Sequence, residues 1–212
     1  MDLHKSVSET KWDIFPLDKL LPLETVYRIF KTEYLKIEQK GLFMDNHKFL
    51  RLREGYFALF VAAVERKISG VSYFIEFPRY GNDINFIEVP EYGEGKKWEC
   101  DVKEYTDHSP NFIEFISKSI KKRIRQYFLI IALHKKVEVH EMNELEKTMK
   151  DTSTMLWLVS ALDSNDYGYN LGKVIYLGNR KKPYIYDVDL SKILIYHEDD
   201  PMLVFHDKIH IK

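Results

Sequence analysis

"NDINFIEVPEYGEGKKWECDVKEYT", residues 82–106, decides how this chain folds. Two runs rich in β-branched and aromatic residues, 84–89 and 98–105, flank the Pro- and Gly-rich "PEYGEGKK". That is the pattern of two strands joined as a hairpin. In the second run Glu99, Asp101 and Lys103 alternate with Trp98, Cys100 and Val102. A strand repeats every two residues, so two carboxylates and one ammonium share a face. Asp83 opens the first run, and if the strands pair it converges with Asp101 at one end of the hairpin. Two carboxylates at one point repel each other unless a cation lies between them.

Working outward, "VSYFIEF" (71–77) is a third strand, joined to the hairpin by the turn "PRYGND". Before it, a helix is expected from His47 to Ile68, apolar nearly all round at its centre and stopped by Gly70. An earlier helix within 17–41 carries the apolar face Val26, Ile29, Phe30, Tyr34 and Leu35, opened at "PLET" and closed by Gly41. After the hairpin, "SPNFIEFISKSIKKRIRQ" reads as a helix with Ser109 as N-cap and Pro110 at its first position. "YFLIIALHKK" (127–136) is an apolar central strand, and 139–163 reads as helix broken near Asp151 to Thr154. The end is β-rich: "KVIYLG", "PYIYDVDL", "ILIYH" and "MLVFHDKIHI". The expected class is therefore α/β, an α+β mixed sheet with flanking helices and a β-rich C-terminal part. Residues 1–45 form a helical lead-in, 46–140 the core, and 141–212 a helix and β-rich extension of the same domain.

A formal net charge of -1 gives no whole-molecule field toward nucleic acid or membrane, so any such contact needs a local patch. The single cysteine, Cys100, excludes a disulfide framework and a cysteine zinc site, and points to a cytoplasmic protein. The longest apolar run, "YFALFVAAV" at 56–64, is well short of the ~18 residues of a membrane span, so no membrane partner is expected. There is no GxxxxGK[ST], no strand–GxGxxG–helix order and no GxSxG.

Asp83, a hairpin-length gap and "DVK" at 101–103 resemble the PD-(D/E)xK nuclease superfamily. The segment is similar to the active-site segment of type II restriction endonucleases whose middle carboxylate is Asp. A helix before the three strands, and a helix and apolar strand after "DVK", extend the likeness over roughly residues 50–135. The resemblance implies a restriction-endonuclease-like core and metal-dependent phosphodiester hydrolysis, on DNA ahead of RNA, in restriction or phage defence. It implies that Asp83 and Asp101 bind Mg²⁺ or Mn²⁺ and that Lys103 positions or activates the attacking water. The family often adds an acid from the preceding helix: Glu54 is the candidate, Glu65 the alternative, and Glu99 shares the face of Asp101. A homodimer follows if both strands are cut. Two departures stand out. Asn82 replaces the family's proline, and a second register, "DIN", puts Asn85 in the aspartate's place, where it would leave the site dead or altered.

Lys118, Lys121, Lys122 and Arg125 could contact phosphates, or simply form a solvated helix face. Tyr105 and His108 sit at the end of the active strand, within reach of a substrate or part of an ordinary loop. His197, His206 and His210 lie on neighbouring expected strands without a metal-site spacing. Cys100 falls opposite Asp101 and reads as a small buried residue. The charges on 99–103 also suit a solvated strand face whose pairs contribute little. From another class comes a non-catalytic protein-binding module, an immunity or assembly subunit, whose protein partner meets an aromatic-rich β surface.

Overall fold

The computed structural model describes residues 14–37, 43, 47–70, 72–89, 95–120, 128–149, 154–162, 170–177 and 184–194. The expected meander is present: β2 (Ser72–Glu76), β3 (Ile84–Val89) and β4 (Lys96–Tyr105) pair antiparallel in succession. A short strand, β1 (Leu20–Pro22), pairs with β2 on the outer side and runs straight into helix α1 (Leu23–Leu35). Helix α2 (Leu50–Ser69) follows a short 3-10 turn at His47–Phe49 and ends on Gly70, whose φ of 71° is the left-handed cap that glycine adopts without strain.

Beyond β4 come α3 (Phe112–Ile120), β5 (Phe128–Leu133), α4 (Val139–Met149) and β6 (Met155–Leu162). Strands β4, β5 and β6 are parallel, which the two intervening helices make possible. Then β7 (Leu171–Leu177) and β8 (Tyr184–Asp189) add antiparallel, followed by a single helical turn, α5 (Leu190–Ile193). Among the described residues the result is one eight-stranded mixed sheet whose spatial order follows the chain order from β1 to β8. No helix among the described residues is long and apolar enough to cross a membrane.

Each face of the sheet has its own core. Alternate residues of β4, Cys100 and Val102, point toward α1 and α2, while Tyr105 packs with Phe112, Ile116 and Leu145 of α3 and α4. By the same period, Asp101 and Lys103 belong to the α3 and α4 face. Helix α2 is the centre of the larger core. Every residue from Leu52 to Val64 is buried, and the helix touches each strand from β2 to β8. Twenty residues make about 30 Å of helix, and seven strands span about 29 Å, so one helix can serve the whole sheet.

Several expectations are corrected. The apolar run at 155–162 is a strand, not the second half of a helix. A strand buried on both faces reads as a continuous apolar run, which periodicity cannot tell from a buried helix. Helix α3 is capped by Asn111, whose side chain accepts from Glu114 N at 2.9 Å. Ser109 instead caps the preceding turn by accepting from Thr106 N at 3.0 Å. Leu35 is 67% exposed rather than part of the buried face of α1. Ile193 lies in α5, not in a strand. Gly41 and the C-terminal segment 195–212, with His197, His206 and His210, lie outside the described residues.

Gly172 marks where α2 presses on the sheet. A Cβ there would sit 2.6 Å from the buried ring of Phe60. Gly172→Ala is expected to destabilise the fold by about 1–3 kcal/mol, because overpacking a rigid ring outweighs the entropy gained by removing glycine. Chemical denaturation with an unchanged slope measures this. A loss under about 0.5 kcal/mol would mean that the helix and β7 move apart freely.

Candidate active site

The site begins where β3 ends. The last β3–β4 pair is Ile84 with Cys100, whereas β4 continues beside β5 as far as Tyr105 with Leu133. From residue 101 onward, the β3 side of β4 has no ladder partner among the described residues. A backbone N–H left there must find another acceptor. Asp83, one step beyond the ladder and so level with Asp101, provides it: its Oδ2 accepts from Val102 N at 2.9 Å. The same oxygen accepts from Lys103 Nζ at 3.2 Å. This pair is partly exposed on both sides, so it orients the two groups and adds little stability.

The open edge lets the two faces of the sheet meet. Lys103 reaches Asp83 from the α3 side, and the N-terminal turns of α2 reach it from the other. Arg51 donates through Nη1 to the Asp83 carbonyl oxygen at 2.9 Å and to Glu54 Oε2 at 2.9 Å. Glu54 is only 5% exposed. Burial, then the Asp83 carboxylate, push its pKa up from 4.5 to about 7, against the opposing pull of Arg51 and Lys103. Burial likewise pushes the Cys100 thiol well above its ordinary value, with Asp101, Asp83 and Glu54 adding and Lys103 opposing. Glu54, Asp83, Asp101 and Lys103 therefore share one electrostatic neighbourhood. Cys100, fully buried and held as a thiol, is not a nucleophile.

The two registers left open by the sequence are resolved by geometry. Asp83, not Asn85, meets Lys103. Asn85 is 1% exposed and donates to Glu76 Oε2 at 2.6 Å, an oxygen that also accepts from Lys97 Nζ at 2.9 Å. Asn82, the residue before Asp83, braces the turn, donating through Nδ2 to the Ile84 carbonyl and to Asn85 Oδ1.

The remaining candidates separate from this group. Glu65 lies eleven residues along α2 from Glu54, about 16 Å away. Glu99 is exposed and stands opposite Asn85, one row back from Asp101. Tyr105 is a core residue at 2% exposure, in ring contact with Phe112 and Phe115, and His108 lies exposed in the turn that follows. Lys118 pairs with Glu114 one helical turn away, as on a solvated face. Lys121, Lys122 and Arg125 lie outside the described residues. Sequence reasoning missed Arg51, whose place three residues before Glu54 puts both on one helix face. It also missed Arg53, which grips Glu104 with Nε at 2.6 Å and Nη2 at 3.2 Å, and the Phe43 carbonyl with Nη1 at 2.7 Å.

Among the described residues, no three His, Cys, Asp or Glu side chains converge tightly enough to enclose a metal ion. Two carboxylates are nevertheless what a Mg²⁺ that keeps several waters requires. Asp83 and Asp101, level across the fork, are the two carboxylates that would hold such an ion, and Glu54, whose pKa the Asp83 carboxylate helps to raise, lies beside them.

Glu54 gives the site a pH signature. Its raised pKa means that the protonated form stabilises the fold fully below about pH 4.5, and that this stability is lost as pH rises through about 7. Glu54→Gln removes the titration. Across that window the wild type should lose up to about 3 kcal/mol relative to the variant. Denaturation curves collected at a series of pH values test this. Parallel pH profiles for the two proteins would contradict it.

No family model, no curated protein and no solved structure matches this chain.

Proposed function

We propose that the chain is a metal-dependent endonuclease of restriction or phage-defence type, with a restriction-endonuclease-like core, hydrolysing phosphodiester bonds in DNA. The observation that carries this is the meeting of Lys103 Nζ and Val102 N–H on one Asp83 oxygen, at a fork where Glu54 and Asp101 share the same field. An ordinary solvated strand face accounts for Lys103 but not for a buried third carboxylate brought in from another element.

In this reading Asp83 and Asp101 would hold Mg²⁺ or Mn²⁺, with Glu54 as the third acid beside them. The bound ion supplies charge stabilisation at the phosphoryl oxygen and a more acidic water. Lys103, tethered at the fork yet 43% exposed at its side chain, orients the attacking water or neutralises developing negative charge. Glu54, kept out of water by burial, would be the third acid available beside the ion. Val102 N–H fixes the Asp83 carboxylate and so sets the direction of its other oxygen. A homodimer would bring the two centres needed to cut both strands.

One observation favours a second reading, a non-catalytic module with a protein partner. Strand β8 exposes Tyr184 at 47% and Ile185 at 63%, side chains of the kind that protein interfaces cover.

The experiment is incubation of supercoiled plasmid, linear duplex, single-stranded DNA and RNA with the protein, with and without Mg²⁺ or Mn²⁺. Cutting should require metal and should fall on the order of a hundred- to a thousand-fold in folded Asp101→Ala and Lys103→Ala. Folded wild type that leaves every substrate intact would overturn the nuclease and favour the binding module.

A further inference from the structure

Two arginines stand two residues apart at the start of α2 and are used in opposite ways. Arg53 is 3% exposed, and all three of its guanidinium nitrogens are engaged, by Glu104 and the Phe43 carbonyl. It is a structural clamp. Arg51 is 35% exposed at its side chain, and only Nη1 is engaged, by Glu54 and the Asp83 carbonyl. Its Nε and Nη2 have no partner among the described residues. A guanidinium offers five donors in one plane. Pinning Nη1 fixes that plane and leaves the Nε–Nη2 edge, three donors in a fork, pointing away from the two acids it braces.

The neighbouring cations are not equivalent. Lys103 is held on Asp83 at 3.2 Å, and Lys97 on Glu76 at 2.9 Å. Arg51 alone among these combines a fixed orientation with a hydrogen-bonding edge uncommitted among the described residues, and it sits one hydrogen bond from both Glu54 and Asp83. An oxyanion, carboxylate or phosphate, fits such an edge, since two parallel N–H groups match two of its oxygens, and the proposed function selects the phosphate. A single positive group beside several carboxylates also offsets the repulsion that an acidic site otherwise exerts on a polyanion.

We infer that the open Nε–Nη2 edge of Arg51 is a phosphate-binding subsite, which receives a backbone phosphate of the nucleic acid at the mouth of the candidate centre. The inference rests on the proposed function for its ligand class. Arg51 is then a substrate-binding residue with a second task, because the same side chain holds Glu54 and the turn that carries Asp83.

The test uses the full chain with ¹⁵N-labelled arginine and a short DNA duplex in Ca²⁺, a cation that fills oxygen sites and is a weaker Lewis acid than Mg²⁺. The Arg51 Nε–H resonance is identified by its loss in Arg51→Lys, which keeps the charge and removes the fork. Duplex should shift this resonance, and Arg51→Lys should weaken duplex binding roughly 10- to 100-fold, the range for a lost charge-assisted pair. A purely bracing arginine predicts a resonance that saturating duplex leaves unmoved, and that result overturns the subsite even if the wild type cuts DNA. Unchanged duplex affinity in Arg51→Lys overturns it equally, as does a wild type that binds no duplex. A wild type that binds duplex through Arg51 and fails to cut with Mg²⁺ or Mn²⁺ overturns the nuclease and leaves the subsite standing.

Discussion

The structure around the candidate site depends on one unpaired backbone donor. Strand β3 ends at the level of Cys100, while β4 runs on beside β5. The N–H of Val102 is thereby stripped of a ladder partner at an edge that is not fully solvated. A partly buried N–H needs an acceptor. The Asp83 carboxylate fills that need and in doing so is fixed in place. Its position then defines where Lys103 can rest, and its charge helps to make the ionisation of Glu54 unfavourable. The site is thus a consequence of how a sheet is terminated.

Helix α2 links this edge to the rest of the molecule. Its centre is locked between α1 and the sheet, so its first turns have little freedom. Arg53 ties that end to Glu104 on β4, and Arg51 ties it to the turn before β3. A shift of the helix would move Glu54 and Asp83 together. The two arginines thereby hold Glu54, Glu104 and the turn that carries Asp83 in a fixed relation.

Much of this was legible in the sequence, for identifiable reasons. Strand β4 alternates strictly from Trp98 to Lys103 and the turns of the meander carry glycine, so its strands and the facing of Asp83 and Asp101 followed from period and spacing. The all-round apolar centre of α2 announced burial on every side. Strand β6 was hidden because "MLWLVSAL" carries no alternation once both its faces are buried. Strand β1 was hidden because three residues carry no period at all; only pairing with β2 makes them a strand. In the site, Asp83, Asp101 and Lys103 were readable as a spaced set. Arg51 was not, because nothing local says which face of a buried helix meets a strand end 32 residues later in the chain. The roles of Asn82 and Asn85 depend on one another's side chains and on Glu76, which only the register brings together.

The central claim is that the fork between β3 and β4 binds a divalent cation through Asp83 and Asp101. Titration of Mn²⁺ followed by its electron paramagnetic resonance tests it without any assumption about substrate. The wild type should remove signal from free Mn²⁺ at a saturable site, and Asp83→Asn and Asp101→Asn, checked for folding, should each abolish or sharply weaken that uptake. Equal uptake by the wild type and both variants, or no uptake by the folded wild type, would contradict it.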